Sequence, residues 1–371
     1  MNEAANLSTI VVTGGFVLAF IFGFVAIRAN FCTMGAIADI VNMSHWGRMR
    51  MWLLAIAVAI IGASVLQATG QVDLSQSIYQ RPRLQWLSAI VGGGLFGVGM
   101  TLAGGCANRN LLRIGTGSMR SVVVFAFIGI SAYMTVKGLF GQWRVDYLDR
   151  FAIDLAAYDL KGQDLPTLLA KATGLSAKVA LAIAAAVVAG GLLLFVFANA
   201  RFRDSPNQIF SGIVIGLLIT GGWYVSGHLG YGENQQLEMV YFATNTRAAE
   251  SMSFVAPMAY SLELLMLWTD QSLHLSFGIA SAIGVILGAL AWALYSKTFH
   301  LEGFASAVDT RDHIVGSILM GFGGVTALGC TVGQGISGMS TLAVGSFLAL
   351  GSIIAGAVAT TKFLLWREEN A

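Results

Sequence analysis

Residues 92–106 read GGGLFGVGMTLAGGC, and residues 316–330 read GSILMGFGGVTALGC. The two stretches begin 224 residues apart and are identical at seven of fifteen positions, including the closing Gly-Cys pair. Neither stretch contains a charged residue. Glycine tolerates backbone conformations that other residues avoid, so each Gly-Cys pair predicts a sharp turn at the end of an apolar helix. We interpret the two stretches as one structural element present in two copies.

The composition places this repeated element in a membrane protein. Of the 371 residues, 56% are hydrophobic and only 11% are charged, whereas soluble domains carry about 25% charged residues. The net charge of +2 is too small to indicate a nucleic-acid partner. We therefore expect an all-α integral membrane protein in which residues 1–371 form a single transmembrane domain.

Long charge-free runs mark the membrane-spanning helices. Such a helix needs about 20 apolar residues, and the chain offers about nine of them. They are 4–27, 51–72, 84–108, 121–136, 179–200, 205–232, 271–296, 314–330 and 341–361. The more polar segment 141–176 predicts short surface helices. Within the acidic segment 233–270, residues 251–268 are apolar but too short to span, which favours an interfacial or re-entrant helix.

The spans group as four, one and four. Residues 7–140 form the first repeat, 141–206 a linker with surface helices and one linker span, and 207–366 the second repeat. An odd number of spans separates equivalent elements, so the halves lie in opposite orientations, as in many transporters whose site is near the bilayer midplane. Lys and Arg concentrate in the short loops of one side. This bias places the N-terminus outside and the C-terminus in the cytoplasm.

The candidate site residues cluster at the repeated turns. The three cysteines, Cys32, Cys106 and Cys330, are too scattered for a disulfide framework or a metal site. A helix that restarts after a Gly-Cys turn points its free N–H groups at an anion. Glycines that only pack helices and cysteines that are only buried are the plainer interpretation, but they do not explain a cysteine in both copies. The residues expected to support binding are Gly105, Asn108, Arg109, Gly329, Thr331 and Gln334.

The sequence contains no recognisable catalytic arrangement. There is no Ser/His/Asp set, no phosphate-binding P-loop, and no pair of carboxylates within a span. We therefore expect no enzyme activity, no catalytic residue, no cofactor and no bound metal. The spans also carry no acid that would indicate a proton relay.

Three stretches resemble the YeeE/YedE family of sulfur transport membrane proteins. They are RANFCTMGAIADI (28–40), GMTLAGGCANRNLLRIGTGSMRS (99–121) and GFGGVTALGCTVGQGISGMS (321–340). The resemblance implies thiosulfate import across the bacterial inner membrane through a nine-span, pseudo-symmetric body. It implies that Cys32, Cys106 and Cys330 line the pathway. It also implies a TusA-like cytoplasmic sulfurtransferase as a candidate partner, and it extends to branches linked with selenium.

We expect the cysteines to relay thiosulfate by S–H···S contacts while the N–H groups of the turns offset its charge. Two alternatives remain open. The same body could conduct another sulfur or selenium compound. It could instead be a membrane sulfurtransferase or scaffold that carries sulfane sulfur on a cysteine. Membrane lipid is the remaining expected partner.

Overall fold

The computed structural model of the chain describes residues 2–234 and 236–370, with side chains described from residue 5 onward. The described residues form fifteen α-helices and two short antiparallel ribbons. The helices are α1 Asn2–Arg28, α2 Thr33–Met43, α3 Gly47–Ala68, α4 Trp86–Leu102, α5 Ala107–Gly115, α6 Met119–Lys137, α7 Leu139–Trp143, α8 Leu165–Thr173, α9 Ala177–Phe197, α10 Ala200–Arg203, α11 Pro206–Tyr224, α12 Val255–Met266, α13 Phe277–Tyr295, α14 Ala307–Thr326 and α15 Val344–Glu369. The ribbons pair β1 Arg83–Leu84 with β2 Ile153–Asp154, and β3 Tyr231–Glu233 with β4 Met239–Tyr241. Wider, π-helical turns occupy Arg144–Leu148, Val225–Leu229 and Gly333–Gly338.

The predicted all-α membrane class is confirmed. Among the described residues, eight helical segments are long and apolar enough to cross a bilayer. The expected span at 314–330 is not one of them, because α14 begins at Ala307 and carries Asp309, Arg311 and Asp312 in its first two turns. The count of nine spans therefore stays a prediction. The position of α14 in the structure follows from its packing against α4.

Glycines bring α4 and α14 into backbone contact. A Cβ added at Gly92 would lie 2.8 Å from the Gly323 carbonyl oxygen, and one added at Gly99 would lie 2.5 Å from that of Gly316. The reciprocal contacts are equally close, at 2.5 Å for Gly323 on Gly92 and 2.6 Å for Gly316 on Gly99. Early residues of one helix meet late residues of the other, so the helices are antiparallel. Since Gly92 and Gly99 are the repeat equivalents of Gly316 and Gly323, the interface is two-fold symmetric.

The next helices obey the same symmetry. Gly97 of α4 packs on the Ile353 carbonyl of α15, and its equivalent Gly321 of α14 packs on the Ile128 carbonyl of α6. Ile353 lies 225 residues after Ile128 in the chain, so α6 and α15 are equivalent as well. Small residues let helix backbones approach closely in a membrane, where lipid offers no hydrophobic drive for association.

The outer helices complete two interlocked halves. Gly284 and Gly288 of α13 meet Phe16 and Phe20 of α1 in that order, so α1 and α13 run parallel. In the same way α11 packs along α3, while α2 packs on α15 and α12 packs on α6. Each helix of one half thus contacts the counterpart of a helix in the other half, as an inverted repeat requires. α9 packs on α3, and the boundaries 7–140, 141–206 and 207–366 stay predictions.

The segments between the spanning helices fold back on the core. Asp164 starts α8 by accepting a hydrogen bond from the Thr167 N–H (3.0 Å). The Leu165 N–H donates to the Leu342 carbonyl (3.0 Å), which fixes this segment beside the start of α15. In the segment 233–270, the expected short helix is α12, and its depth in the membrane stays a prediction.

We expect Gly97→Ala to destabilise the protein, because the added Cβ would lie 2.8 Å from the Ala357 backbone nitrogen. Backbone cannot yield as a flexible side chain can, so the free energy of unfolding should fall by about 1–3 kcal/mol. Gly94→Ala is the matched control on the same helix, since a Cβ at Gly94 meets nothing within 4 Å. Thermal unfolding in detergent measures both variants, and equal midpoints would contradict the packing described above.

Candidate functional site

Both Gly-Cys pairs close the same kind of turn. The chain turns after α4 at Gly104, whose φ is +63°, and after α14 at Leu328, whose φ is +59°. These residues are equivalent in the repeat, so the left-handed backbone is kept in both copies although it costs a leucine about 1–2 kcal/mol. The next N–H, that of Gly105 or Gly329, donates to a carbonyl five residues earlier, at 2.8 and 2.7 Å. The turns thereby satisfy backbone groups that the bilayer cannot.

The two turns lie at different depths. Antiparallel packing places the start of the first turn, Ala103, against Gly316, and the start of the second, Ala327, against Gly92. Gly92 and Ala103 are eleven residues apart, so the turns are separated by about 16 Å along the helix axes. Both therefore fit within the apolar core of a bilayer, which is about 30 Å thick.

Each cysteine stands where a helix or helical turn begins. Cys32 precedes α2 and Cys106 precedes α5, while Cys330 precedes the wide turn between α14 and α15. The Cys32 thiol accepts a hydrogen bond from the Gly35 N–H, and the Cys330 thiol accepts one from the Gly333 N–H, both at 3.4 Å. The helix starts expected from the sequence are present, and thiols occupy them.

All three predicted cysteines are buried, and the structure brings two of them, Cys32 and Cys106, together. Cys32 is 7% exposed, Cys106 1% and Cys330 0%, and all three are free thiols. The Cys32 and Cys106 side chains are direct neighbours, and the Cys106 side chain contacts the Thr331 hydroxyl. Because Thr331 follows Cys330 in the chain, these contacts connect both turns with the start of α2.

Positive charge surrounds the Cys32 end of this group. Arg109 and Arg113, both on α5, lie close enough for their charges to act on the Cys32 thiol, and so does Arg48. Arg48 is bound to Asp39 by two hydrogen bonds. Within the described part of the chain, no carboxylate forms a salt bridge with Arg109 or Arg113. The Cys32 end therefore attracts anions.

The predicted binding-support residues contribute unpaired polar atoms. Among the residues described, Asn108 Oδ1, Arg109 Nη1, Thr331 Oγ1 and Gln334 Oε1 are buried without an oxygen or nitrogen partner. A buried polar group left unpaired costs about 1–3 kcal/mol. These atoms therefore favour a polar solute beside the thiols. The two other predicted support residues act through the backbone of the turns, as described above.

A cavity of about 460 Å³ lies at the Cys330 end of the thiol group. Gly329, the residue before Cys330, lines this cavity. Tyr79 lines it too, and its phenol is near enough to interact with the Cys330 thiol. The cavity also has positively charged walls. Its arginines are Arg81, Arg83 and Arg144.

The family assignment agrees with this geometry. The model of a protein family described as Sulphur transport matches residues 28–359 of the chain. The chain belongs to this sulphur-transport family. The match includes both Gly-Cys turns and all three cysteines, and the resemblance to the YeeE/YedE family is thereby confirmed.

Two curated relatives of this sulphur-transport protein have similar length. A protein of Spirochaeta thermophila named thiosulfate transporter TsuA is 27% identical over 359 residues, covering 90% of this chain and 93% of the relative. A protein of Escherichia coli with the same name is 24% identical over 337 residues, covering 88% of this chain and 86% of the relative. Both names describe transporters, and neither names an enzyme.

Sequence reasoning missed several residues of this sulphur-transport protein's site. Arg113 had a usable signal, because it lies four residues after Arg109 and so on the same face of a helix. Arg48 and Tyr79 had none, because each reaches the cysteines from a segment with no repeated motif.

We expect the three thiols to resist membrane-impermeant maleimide reagents in the folded protein, because all are at most 7% exposed. Mass spectrometry should find no adduct under native conditions and three adducts after denaturation in detergent. Ser272→Cys is the control, since Ser272 is exposed and its thiol should react at once. Rapid labelling of Cys330 in the folded protein would contradict its burial.

Proposed function

We propose that this multi-pass membrane protein imports thiosulfate across the bacterial inner membrane, with its N-terminus outside and its C-terminus in the cytoplasm. Thiosulfate enters the arginine-lined cavity, passes Cys330, Cys106 and Cys32 in that order, and leaves beside Arg109 and Arg113. The observation that carries the proposal is that Cys32, Cys106 and Thr331, the residue after Cys330, are in contact, with arginines beyond them at both ends. The names of the two relatives support the choice of substrate.

The chemistry of the pathway suits a soft dianion. A protonated thiol donates a weak hydrogen bond through S–H and accepts another through sulfur. The terminal sulfur of thiosulfate can accept such a bond, while the oxygen end of the anion is met by N–H groups and guanidinium groups, which bind anions strongly. The cysteines change only their contacts in this relay, and no bond to sulfur forms or breaks.

Another sulfur or selenium compound could use the same route, and competition with labelled thiosulfate distinguishes these solutes.

A second candidate is a membrane sulfurtransferase, which the neighbouring thiols of Cys32 and Cys106 favour. A persulfide on either cysteine, detected by mass spectrometry after exposure to thiosulfate, would support that candidate over the relay. The same proposal includes two partners. One is a TusA-like cytoplasmic sulfurtransferase that accepts the sulfur inside the cell, and the other is the membrane lipid around the protein.

We expect Cys32→Ser, Cys106→Ser and Cys330→Ser each to lower thiosulfate uptake about fivefold, the effect of weakening one contact by about 1 kcal/mol. A hydroxyl keeps the size and the donor but loses the soft sulfur contact. Uptake is measured in cells that lack other importers, with the amount of membrane-inserted protein as the normalisation. Unchanged uptake in all three variants would contradict the relay hypothesis. Ser64→Cys is the control, because it exchanges serine and cysteine at a position away from the three thiols and should leave uptake unchanged.

Arg81→Gln should raise the thiosulfate concentration needed for half-maximal uptake about fivefold at low salt, because one positive charge of the cavity wall is lost. Of the other two arginines, Arg144 is paired with Asp149. The difference should shrink as ionic strength rises. Arg247→Gln is the matched control, since Arg247 is exposed and does not line this cavity. Equal effects of both substitutions would show that the cavity does not collect the anion.

A further inference from the structure

The cavity beside Cys330 has one acidic side chain among its described lining residues, Glu250. Glu250 lies between β4 and α12, outside the spanning helices, and its side chain is partly buried where it lines the cavity. Its Oε1 atom accepts hydrogen bonds from the Thr246 N–H (2.7 Å) and from the Thr246 hydroxyl (2.6 Å). No Lys, Arg or His in the described ranges forms an ion pair with it. The carboxyl group is therefore held by neutral donors.

The titratable groups facing Glu250 are few. Its charge acts on the phenols of Tyr79 and Tyr260, which are neutral near pH 7, and the three cavity arginines share its wall. Burial raises the pKa of Glu250, and hydrogen bonds from Thr246 and the Asn245 N–H act against that rise. A raised carboxyl pKa means that the protonated form persists to higher pH than in an exposed glutamate.

The segment that carries Glu250 rests on the second Gly-Cys turn. The Ser337 hydroxyl donates a hydrogen bond to the Met252 carbonyl (2.7 Å). The Ser253 hydroxyl fits against Gly333, where an added Cβ would collide with it, and Ser253 also lines the cavity. These contacts join the segment that carries Glu250 to that turn, three residues away.

The membrane potential supplies the physical reason for a proton. This step rests on the proposed import of thiosulfate, a dianion. At 100 mV, inside negative, entry of two negative charges is opposed by a concentration ratio on the order of 10³, and one proton carried along reduces that ratio to about 50. A proton site in the entry cavity would meet this requirement.

We propose that Glu250 binds a proton that the protein carries inward with each anion. The carboxylate takes the proton from water in the cavity, which makes the cavity more positive by one charge as the anion enters. The proton then passes from the carboxyl group to water that accompanies the anion past the cysteines. It is released to the inner solution, and Glu250 returns to its charged form. The Ser253 hydroxyl lines the cavity, and the Thr331 hydroxyl is next to Cys106. Only O–H bonds form and break, and no electron moves.

The test uses the purified full-length protein in liposomes loaded with a pH-sensitive dye, with the membrane potential held at zero by potassium and valinomycin. In the wild type, addition of thiosulfate outside should acidify the interior. The ratio of internal to external thiosulfate should rise about tenfold for each unit by which the outside is more acidic, as one coupled proton requires. Glu250→Gln, whose amide oxygen can still accept from Thr246, should show neither effect.

Exchange of labelled for unlabelled thiosulfate needs no net proton movement, so it should persist in Glu250→Gln and show that the variant is folded. Glu238→Gln is the matched control, because Glu238 is an exposed outer carboxylate and should leave coupling intact. Wild-type uptake without acidification, or undiminished coupling in Glu250→Gln, would overturn the proton proposal alone. A wild-type protein that moves no thiosulfate at all would instead overturn the proposed function.

Discussion

The backbone contact between α4 and α14 is the constraint on which the rest of the structure depends. Gly92, Gly99, Gly316 and Gly323 leave no room for side chains between the two helices. Because the helices are antiparallel and equivalent, this one contact fixes the two-fold axis of the molecule. It also fixes the offset between the two Gly-Cys turns, since each turn begins where its helix passes the early glycine of the other. A shift along this interface would separate Thr331 from Cys106.

The same packing determines where charge can be placed. Backbone hydrogen bonds within each turn satisfy the groups exposed by the break in the helix, so no ionised side chain is needed there. The centre holds thiols, hydroxyls and amides, and the arginines lie at the two ends. An isolated charge at the centre of a bilayer is costly, which is consistent with arginines at the ends and neutral groups between them.

How far the sequence predicts the site differs among its residues. Cys106 and Cys330 are predictable because each marks the other through the repeat. Cys32 depends on the family resemblance, since its counterpart before α12 is Phe254 and the repeat gives no signal. The cavity escapes prediction because it joins loops that are far apart in the chain and share no periodic pattern. Composition alone does not identify α14 as a spanning helix, because its first two turns are charged. Its repeated glycines nevertheless predict how it packs.

The two halves share a backbone but differ in charge. In the first copy Arg109 stands three residues after Cys106, whereas in the second the same position is Gly333. The deep cationic site is therefore at one end only, and the other end has its arginines around a cavity. Such an asymmetry cannot by itself set the direction of net movement in a transporter, because a protein that is unchanged after each cycle does not shift an equilibrium. Direction has to come from a gradient, which is either that of the anion itself or that of a second species that moves with it.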